Sequence, residues 1–175
     1  MRILKAPLDE EDIKYLQVGE EVLLEGTLYT ARDMAHKRMC ATIEAGGHLP
    51  IDIRGQIIYY TGPCPAPANK VIGSAGPTTS NRMDSFTEAL LARGLKCMVG
   101  KGSRNAHIID AIKEHKAIYL VTIGGAGAYL ARQITRSQVV AYEEFGPEAI
   151  RRLEVKAFPA IVAIDIKGNN IFTEA

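Results

Sequence analysis

A chain of 175 residues, 47% of them hydrophobic, can bury a core of its own and is expected to fold as one domain over residues 1–175. Its 21 Lys and Arg against 20 Asp and Glu leave a formal net charge of +1 with no basic stripe, which argues against nucleic acid as a partner. No apolar stretch follows Met1-Arg2 and no apolar run reaches the length of a membrane span, so a cytoplasmic protein without membrane contact is expected.

In chain order, residues 6–19 read as a loop with a short helical turn around the acidic run Asp9-Glu10-Glu11-Asp12. Residues 21–30 are rich in β-formers and predict a strand that ends abruptly at Ala31-Arg32-Asp33. Asp33 is a fitting N-cap for a helix from Met34 to the stop at Gly46-Gly47. A strand over 56–61 follows, then the Pro-rich loop 62–67 and a short β-like Val71-Ile72. Residues 73–84 are too polar for a core. They precede Met83, Phe86, Leu90 and Leu91 at helical spacing, which places Thr78, Thr79 and Ser80 at a helix start ended downstream by Gly94.

The second half alternates in the same way. Residues 95–99 form a strand that leaves through Gly100-Lys101-Gly102-Ser103, and Ser103 is placed to cap a helix with Ala106, Ile108, Ile109 and Ile112 on its apolar face. Residues 118–123 are an apolar strand, and Gly124-Gly125-Ala126-Gly127 opens a helix through Tyr129, Leu130 and Ile134. Residues 139–142 make a short strand, Pro147 suits the first turn of a helix through Leu153, and 161–166 form the last strand. Fully apolar strands separated by glycine turns and helices predict an α/β layered architecture with parallel pairing, beside a second β layer built from more antiparallel N-terminal strands.

In a parallel α/β sheet the ligand crevice lies where strands end and helices begin. Four polar junctions compete for it: Arg32-Asp33, the stretch from Thr78 to Arg82, Lys101-Gly102-Ser103, and the glycines from Gly124. The unpaired N–H groups of a helix start hold anions, and each guanidinium can grip one carboxylate with two bonds, so the set suits a small dianion. The plain alternative is an arginine in a surface ion pair and a hydroxyl that only caps.

Two resemblances to nucleotide loops fail on spacing. Leu130 stands where a dinucleotide fingerprint after Gly125 needs its third glycine, and Lys101 has no directly following Ser or Thr. The four histidines have no metal-ligand spacing, and only His36, near Arg32, is worth following. Cys40, Cys64 and Cys97 are odd in number and far apart, against both a disulfide framework and a set of cluster ligands. Cys40 and Cys97 read as buried structural thiols, and the Pro-rich loop leaves Cys64 open.

Five stretches, Thr30-Ala31-Arg32-Asp33-Met34-Ala35-His36-Lys37-Arg38, Gly62-Pro63-Cys64-Pro65, residues 73–84, Gly100-Lys101-Gly102 and Gly124-Gly125-Ala126-Gly127-Ala128, stand in an order that resembles the β subunit of the iron–sulfur hydro-lyases, class I fumarate hydratase and L(+)-tartrate dehydratase. The resemblance implies a swivelling β/β/α domain and reversible addition of water across the double bond of a four-carbon dicarboxylate. It also implies a [4Fe–4S] cluster held by a partner α subunit rather than by this chain, hence a hetero-oligomer, with a homodimer as the alternative when the chain is isolated. Carried over by position, Arg32 and Arg82 match carboxylate-binding arginines and Lys101 matches a lysine lining the same site. Thr78 matches a threonine proposed as proton acceptor, and Thr79 and Ser80 are neighbours that bind substrate or cap. The rival from another class is a stand-alone module that binds a dicarboxylate or phosphate without catalysis.

Overall fold

A computed structural model describes residues 1–122 and 126–172. Among the described residues, seven strands and five α-helices make a mixed α/β fold. The strands are β1 (Arg2–Lys5), β2 (Glu21–Thr30), β3 (Ile57–Tyr59), β4 (Cys97–Gly100), β5 (Ile118–Val121), β6 (Ile134–Ala141) and β7 (Ile150–Ile164). The helices are α1 (Glu10–Ile13), α2 (Asp33–Glu44), α3 (Asp84–Ala92), α4 (Ala106–Glu114) and α5 (Gly127–Arg132), with 3-10 turns at Ser80–Met83 and Glu143–Glu148.

Strands β1 to β5 pair in parallel in sequence order, and β7 runs antiparallel to β5, β6 and β2. Because β7 pairs with both β2 and β5, the pairings close into a circuit of β2, β3, β4, β5 and β7. The expected antiparallel character of the N-terminal strands is therefore corrected: β1 and β2 are parallel, and the antiparallel neighbour of β2 comes from the far end of the chain.

Alternation along the strands gives each face of the circuit its own core. Leu24 and Leu28 of β2, Ile57 and Tyr59 of β3, Cys97 and Val99 of β4, and Ile118 and Leu120 of β5 lie in one cluster with Phe158 and Val162 of β7. The intervening Ile58, Met98 and Tyr119 face the other way, toward Met39 of α2, Leu90 and Leu91 of α3, and Ile108 and Ile112 of α4. These side chains are at most 2% exposed, and burial of each aliphatic one contributes about 2 kcal/mol. The layer of α2, α3 and α4 thus covers β3 to β5, and helices enter it from the strand ends that form the site.

Several expected boundaries change. Val71-Ile72 is not a strand; Ile72 is a single buried anchor in an irregular segment. The helix expected from Pro147 through Leu153 is instead a 3-10 turn followed by the 15-residue strand β7. Its alternation slips phase: Leu153 and Val155 are buried, then Phe158, Ala160 and Val162. Leu24 pairs with Phe158 but Gly26 with Val155, so β7 carries one extra residue there, with Ala157 at φ 54° and its amide donating to Glu25 Oε1 (3.1 Å). That bulge hides the strand from a period-2 reading. The capping assignments to Asp33 and Ser103 also fail, because the residues in those positions are Arg32 and Asn105. The helix opened by Gly127 stops at Arg132, so that Ile134 begins β6, and Ile123, Gly124 and Gly125 lie outside the described residues.

Candidate active site at the ends of the parallel strands

Strands β2, β3 and β4 end side by side and deliver Arg32, Thr61 and Lys101 to one edge of the sheet. The segment 62–79 folds back across that edge, held by two side-chain hydroxyls and one carbonyl at the end of β3. The Tyr59 phenol donates to Ala75 O, the Thr61 hydroxyl to Gly76 O (2.7 Å), and the Thr78 amide to Tyr60 O (2.7 Å). Close approach needs missing side chains. A Cβ on Gly73 would strike the Cys64 and Pro65 carbonyls, and one on Gly127 would strike Ser74 Oγ.

The end of this segment joins β4: Thr79 and Lys101 form a parallel β-bridge, and the Ser80 amide donates to Lys101 O (3.0 Å). None of the three hydroxyls caps a helix, since neither Thr79 nor Met83, the N-cap residues here, makes a side-chain capping bond. Thr78 is half-buried and Thr79 exposed, and no hydrogen bond is made by either hydroxyl among the described residues. Ser80 is fully buried.

Asp33 joins the two arginines. Arg82 donates from Nε (3.1 Å) and Nη2 (3.0 Å) to Asp33 Oδ2, while Arg32 Nη2 lies 3.7 Å from Oδ1. Buried Arg32 Nε and Asp33 Oδ1 have no hydrogen-bond partner among the described residues. Gly62 lets the Arg32 stem lie where it does, since a Cβ there would come within 3.0 Å of Arg32 Cδ. Lys101 is exposed and makes no ion pair among the described residues. Arg32, Arg82 and Lys101 are only partly offset by Asp33 and by Glu148, whose Oε1 accepts from the neighbouring Met34 amide (3.1 Å), and Arg82 and Lys101 are exposed.

Beneath the site is a buried polar network that the sequence reading did not find. Arg104 Nε donates to Asp84 Oδ1 (2.6 Å) with both side chains at most 2% exposed, and Arg104 Nη2 donates to Thr87 Oγ1 (2.9 Å) and Tyr60 Oη (3.3 Å). The second Asp84 oxygen accepts from the Asn105 amide (2.7 Å) at the start of α4. The Arg104 guanidinium sits 4.8 Å from the centre of the Tyr119 ring and 5.3 Å from that of Tyr60. Burial alone would lower its pKa, but Tyr60 and Asp84 more than offset that and hold it charged. The signals in the sequence were Asp84 in the first turn of α3 and Arg104 just before α4, each of which passes for an ordinary helix-end charge.

His36, on α2, donates from Nδ1 to Arg32 O (2.8 Å), since a carbonyl can only accept, and packs edge-on against Tyr60. Burial, assisted by the Arg104 charge, lowers its pKa to about 4, so it is a neutral structural imidazole. The cysteines do not converge. Cys97 is buried in β4, Cys40 is half-buried on α2 with its Sγ 3.4 Å from Phe86 O, and Cys64 is exposed in the 62–79 segment. A cluster held by thiolates does not fit this chain.

The sequence pattern of one family, described as Fumarase C-terminus, matches residues 2–175. The chain belongs to the fumarase C-terminus family. Within curated relatives it is 41% identical to "Fumarate hydratase class I, anaerobic" of Escherichia coli strain K12, over 98% of this chain and 32% of that protein. It is 38% identical to "Fumarate hydratase 2" of Leishmania major, over 98% of the chain and 31% of that protein. The inferred L(+)-tartrate dehydratase subunit beta of Methanocaldococcus jannaschii is 38% identical and is covered over 89% of its own length. This family member therefore spans about a third of the fumarate hydratases it matches and nearly the whole of a separate β subunit. The family's named activities sit on chains of both organisations.

Proposed function

We propose that the chain is the β component of an iron–sulfur-dependent hydro-lyase that reversibly hydrates fumarate to malate. The observation that carries this reading is the Asp33-bridged pair Arg32 and Arg82, set beside an unpaired lysine and a free threonine hydroxyl. Cations that Asp33 and Glu148 offset only in part suit a dicarboxylate dianion, and the arginines are spaced by a carboxylate that already occupies one edge of Arg82. Arg32 and Arg82 then bind the substrate carboxylates, Lys101 lines the site and supplies charge, and Thr79 offers a hydroxyl at the rim.

Thr78 is read as the proton acceptor at the carbon beside the carboxylate, a reading supported by a backbone anchored through its amide to Tyr60 O. A threonine hydroxyl is a weak base, and a group from the partner must hold the proton or stabilise the alkoxide. Ser80, buried, supports the site from behind instead of reaching the substrate. The [4Fe–4S] cluster belongs in this reading to a partner α subunit, in agreement with thiols that do not converge here. The fold is read as the swivelling β/β/α type, working in the cytoplasm as part of a hetero-oligomer.

The test is anaerobic reconstitution with a cluster-bearing α subunit, following malate-to-fumarate conversion; a complex that forms but does not turn over malate would overturn the proposal. L(+)-tartrate dehydration is the second reading, favoured by the near full-length match to a separate β subunit. Relative turnover of malate and tartrate by the same complex separates the two.

A further inference from the structure

Resting on the hydro-lyase reading, the geometry points to Tyr119 as a positioning residue that fixes Lys101 through a buried relay of hydrogen bonds, which we propose as an addition to the site. Tyr119 lies in β5, next to β4 in the sheet, and its side chain faces the helix layer rather than the substrate edge. Its phenol oxygen is 2.7 Å from Ser80 Oγ and 2.8 Å from Gly102 O. A phenol has one proton and a carbonyl can only accept, so both bonds form together in one arrangement: Ser80 donates to Tyr119, and Tyr119 donates to Gly102 O.

This direction has a consequence on both sides of Lys101. The residue before the Ser80 amide, Thr79, is bridged to Lys101, and that amide donates to Lys101 O, while the phenol grips the carbonyl of the next residue, Gly102. Gly102 has φ +80°, a conformation that leaves the turn without side-chain packing of its own. Gly100 on the other side is packed against Ser80 and Tyr60, where a Cβ would strike Ser80 Oγ. The Lys101 backbone is thus held by Ser80 and Tyr119, although its side chain is exposed and unpaired.

The relay is itself braced. The Arg104 guanidinium lies over the Tyr119 ring and is locked by Asp84, whose other oxygen holds the start of α4. A ring stacked under a paired guanidinium cannot tilt without breaking that contact, so the phenol oxygen stays aimed at Ser80 and Gly102. Burial raises the phenol pKa, which keeps it a donor rather than a base.

The experiment uses Tyr119→Phe, which deletes the oxygen and keeps the stacked ring, with Ser80→Ala as a second variant that removes the other donor. Native-state hydrogen exchange on the full chain should show the backbone amide at position 80 exchanging roughly tenfold faster in either variant, with amides of β4 and β5 unchanged. In the reconstituted complex, kcat/KM should fall roughly tenfold to a hundredfold, as expected when a catalytic group drifts by a fraction of an ångström to an ångström. In a Lys101→Ala background, Tyr119→Phe should cost nothing further, because a residue acting through Lys101 has nothing left to position. Unchanged exchange at position 80, or losses that add fully across the two backgrounds, would overturn the proposal. If the wild-type complex turns over no dicarboxylate, the hydro-lyase reading fails while the exchange measurement still decides the role of Tyr119.

Discussion

Arg82 shows how one side chain can be tied down and still, in the proposed hydro-lyase, have donors left for a ligand. Its Nε and Nη2 are engaged by Asp33 Oδ2, which leaves Nη1 for the proposed substrate carboxylate. Arg82→Lys keeps the charge but supplies a point donor that cannot hold Asp33 and the substrate in one plane. Turnover of the reconstituted complex should fall about a hundredfold, with thermal stability little changed because the Arg82 side chain is 53% exposed. Wild-type kcat/KM would return Arg82 to the role of a surface ion-pair partner. The arginines were legible in the sequence because they stand at strand-to-helix junctions. Asp33 was misread as a cap, since an acidic residue at a helix start has two uses and only the 49-residue separation between Asp33 and Arg82, closed by the fold, decides between them.

Single elements were legible where one physical signal ruled. Strand β2 was read to the residue because its β-formers run without interruption to a polar stop, whereas only the end of β7, within the expected strand 161–166, was read, because a bulge at Ala157 and the helix-like Gly146-Pro147 hide the rest. The turn between β4 and α4 is an intermediate case: its glycines were seen, but their reason lies in another element. Gly100 has no room for a Cβ because Ser80 Oγ and the Tyr60 ring (2.9 Å) already fill the space. Gly100→Ala should therefore destabilise the chain by roughly 1–3 kcal/mol as an overpacked contact. Denaturant unfolding would measure this, and the displaced Ser80 should lower turnover as well. An unchanged midpoint would mean that the 73–84 segment yields to the added methyl group at no cost.

At the scale of the molecule, layering was legible because alternating apolar strands and helices leave few architectures, but closure was not. The pairing of β2 with β7 joins positions about 130 residues apart, and no local pattern encodes it. The site inherits this distance: its buried support draws on Tyr60, Asp84, Arg104 and Tyr119 from four separate stretches of the chain. His36 makes the packing of that support visible as a pH dependence. The unfolded imidazole takes a proton near its ordinary 6.5, while the folded one refuses it until about 4. Stability from this group is therefore complete above pH 6.5 and lost as the pH falls toward 4, by roughly 3 kcal/mol at most. Unfolding measured from pH 7 to pH 4 should show that decline in the wild type and a shallower one in His36→Leu; parallel curves would remove His36 as the cause.

The partly offset cations at the strand ends also act before any contact is made. A dianion approaching from solvent meets an attractive field whose reach is set by the surrounding ions, about 30 Å at 0.01 M salt and about 8 Å at physiological strength. Asp33 and Glu148 trim that field without abolishing it, so that in the proposed hydro-lyase capture of a dicarboxylate is assisted while a product of the same charge can still leave.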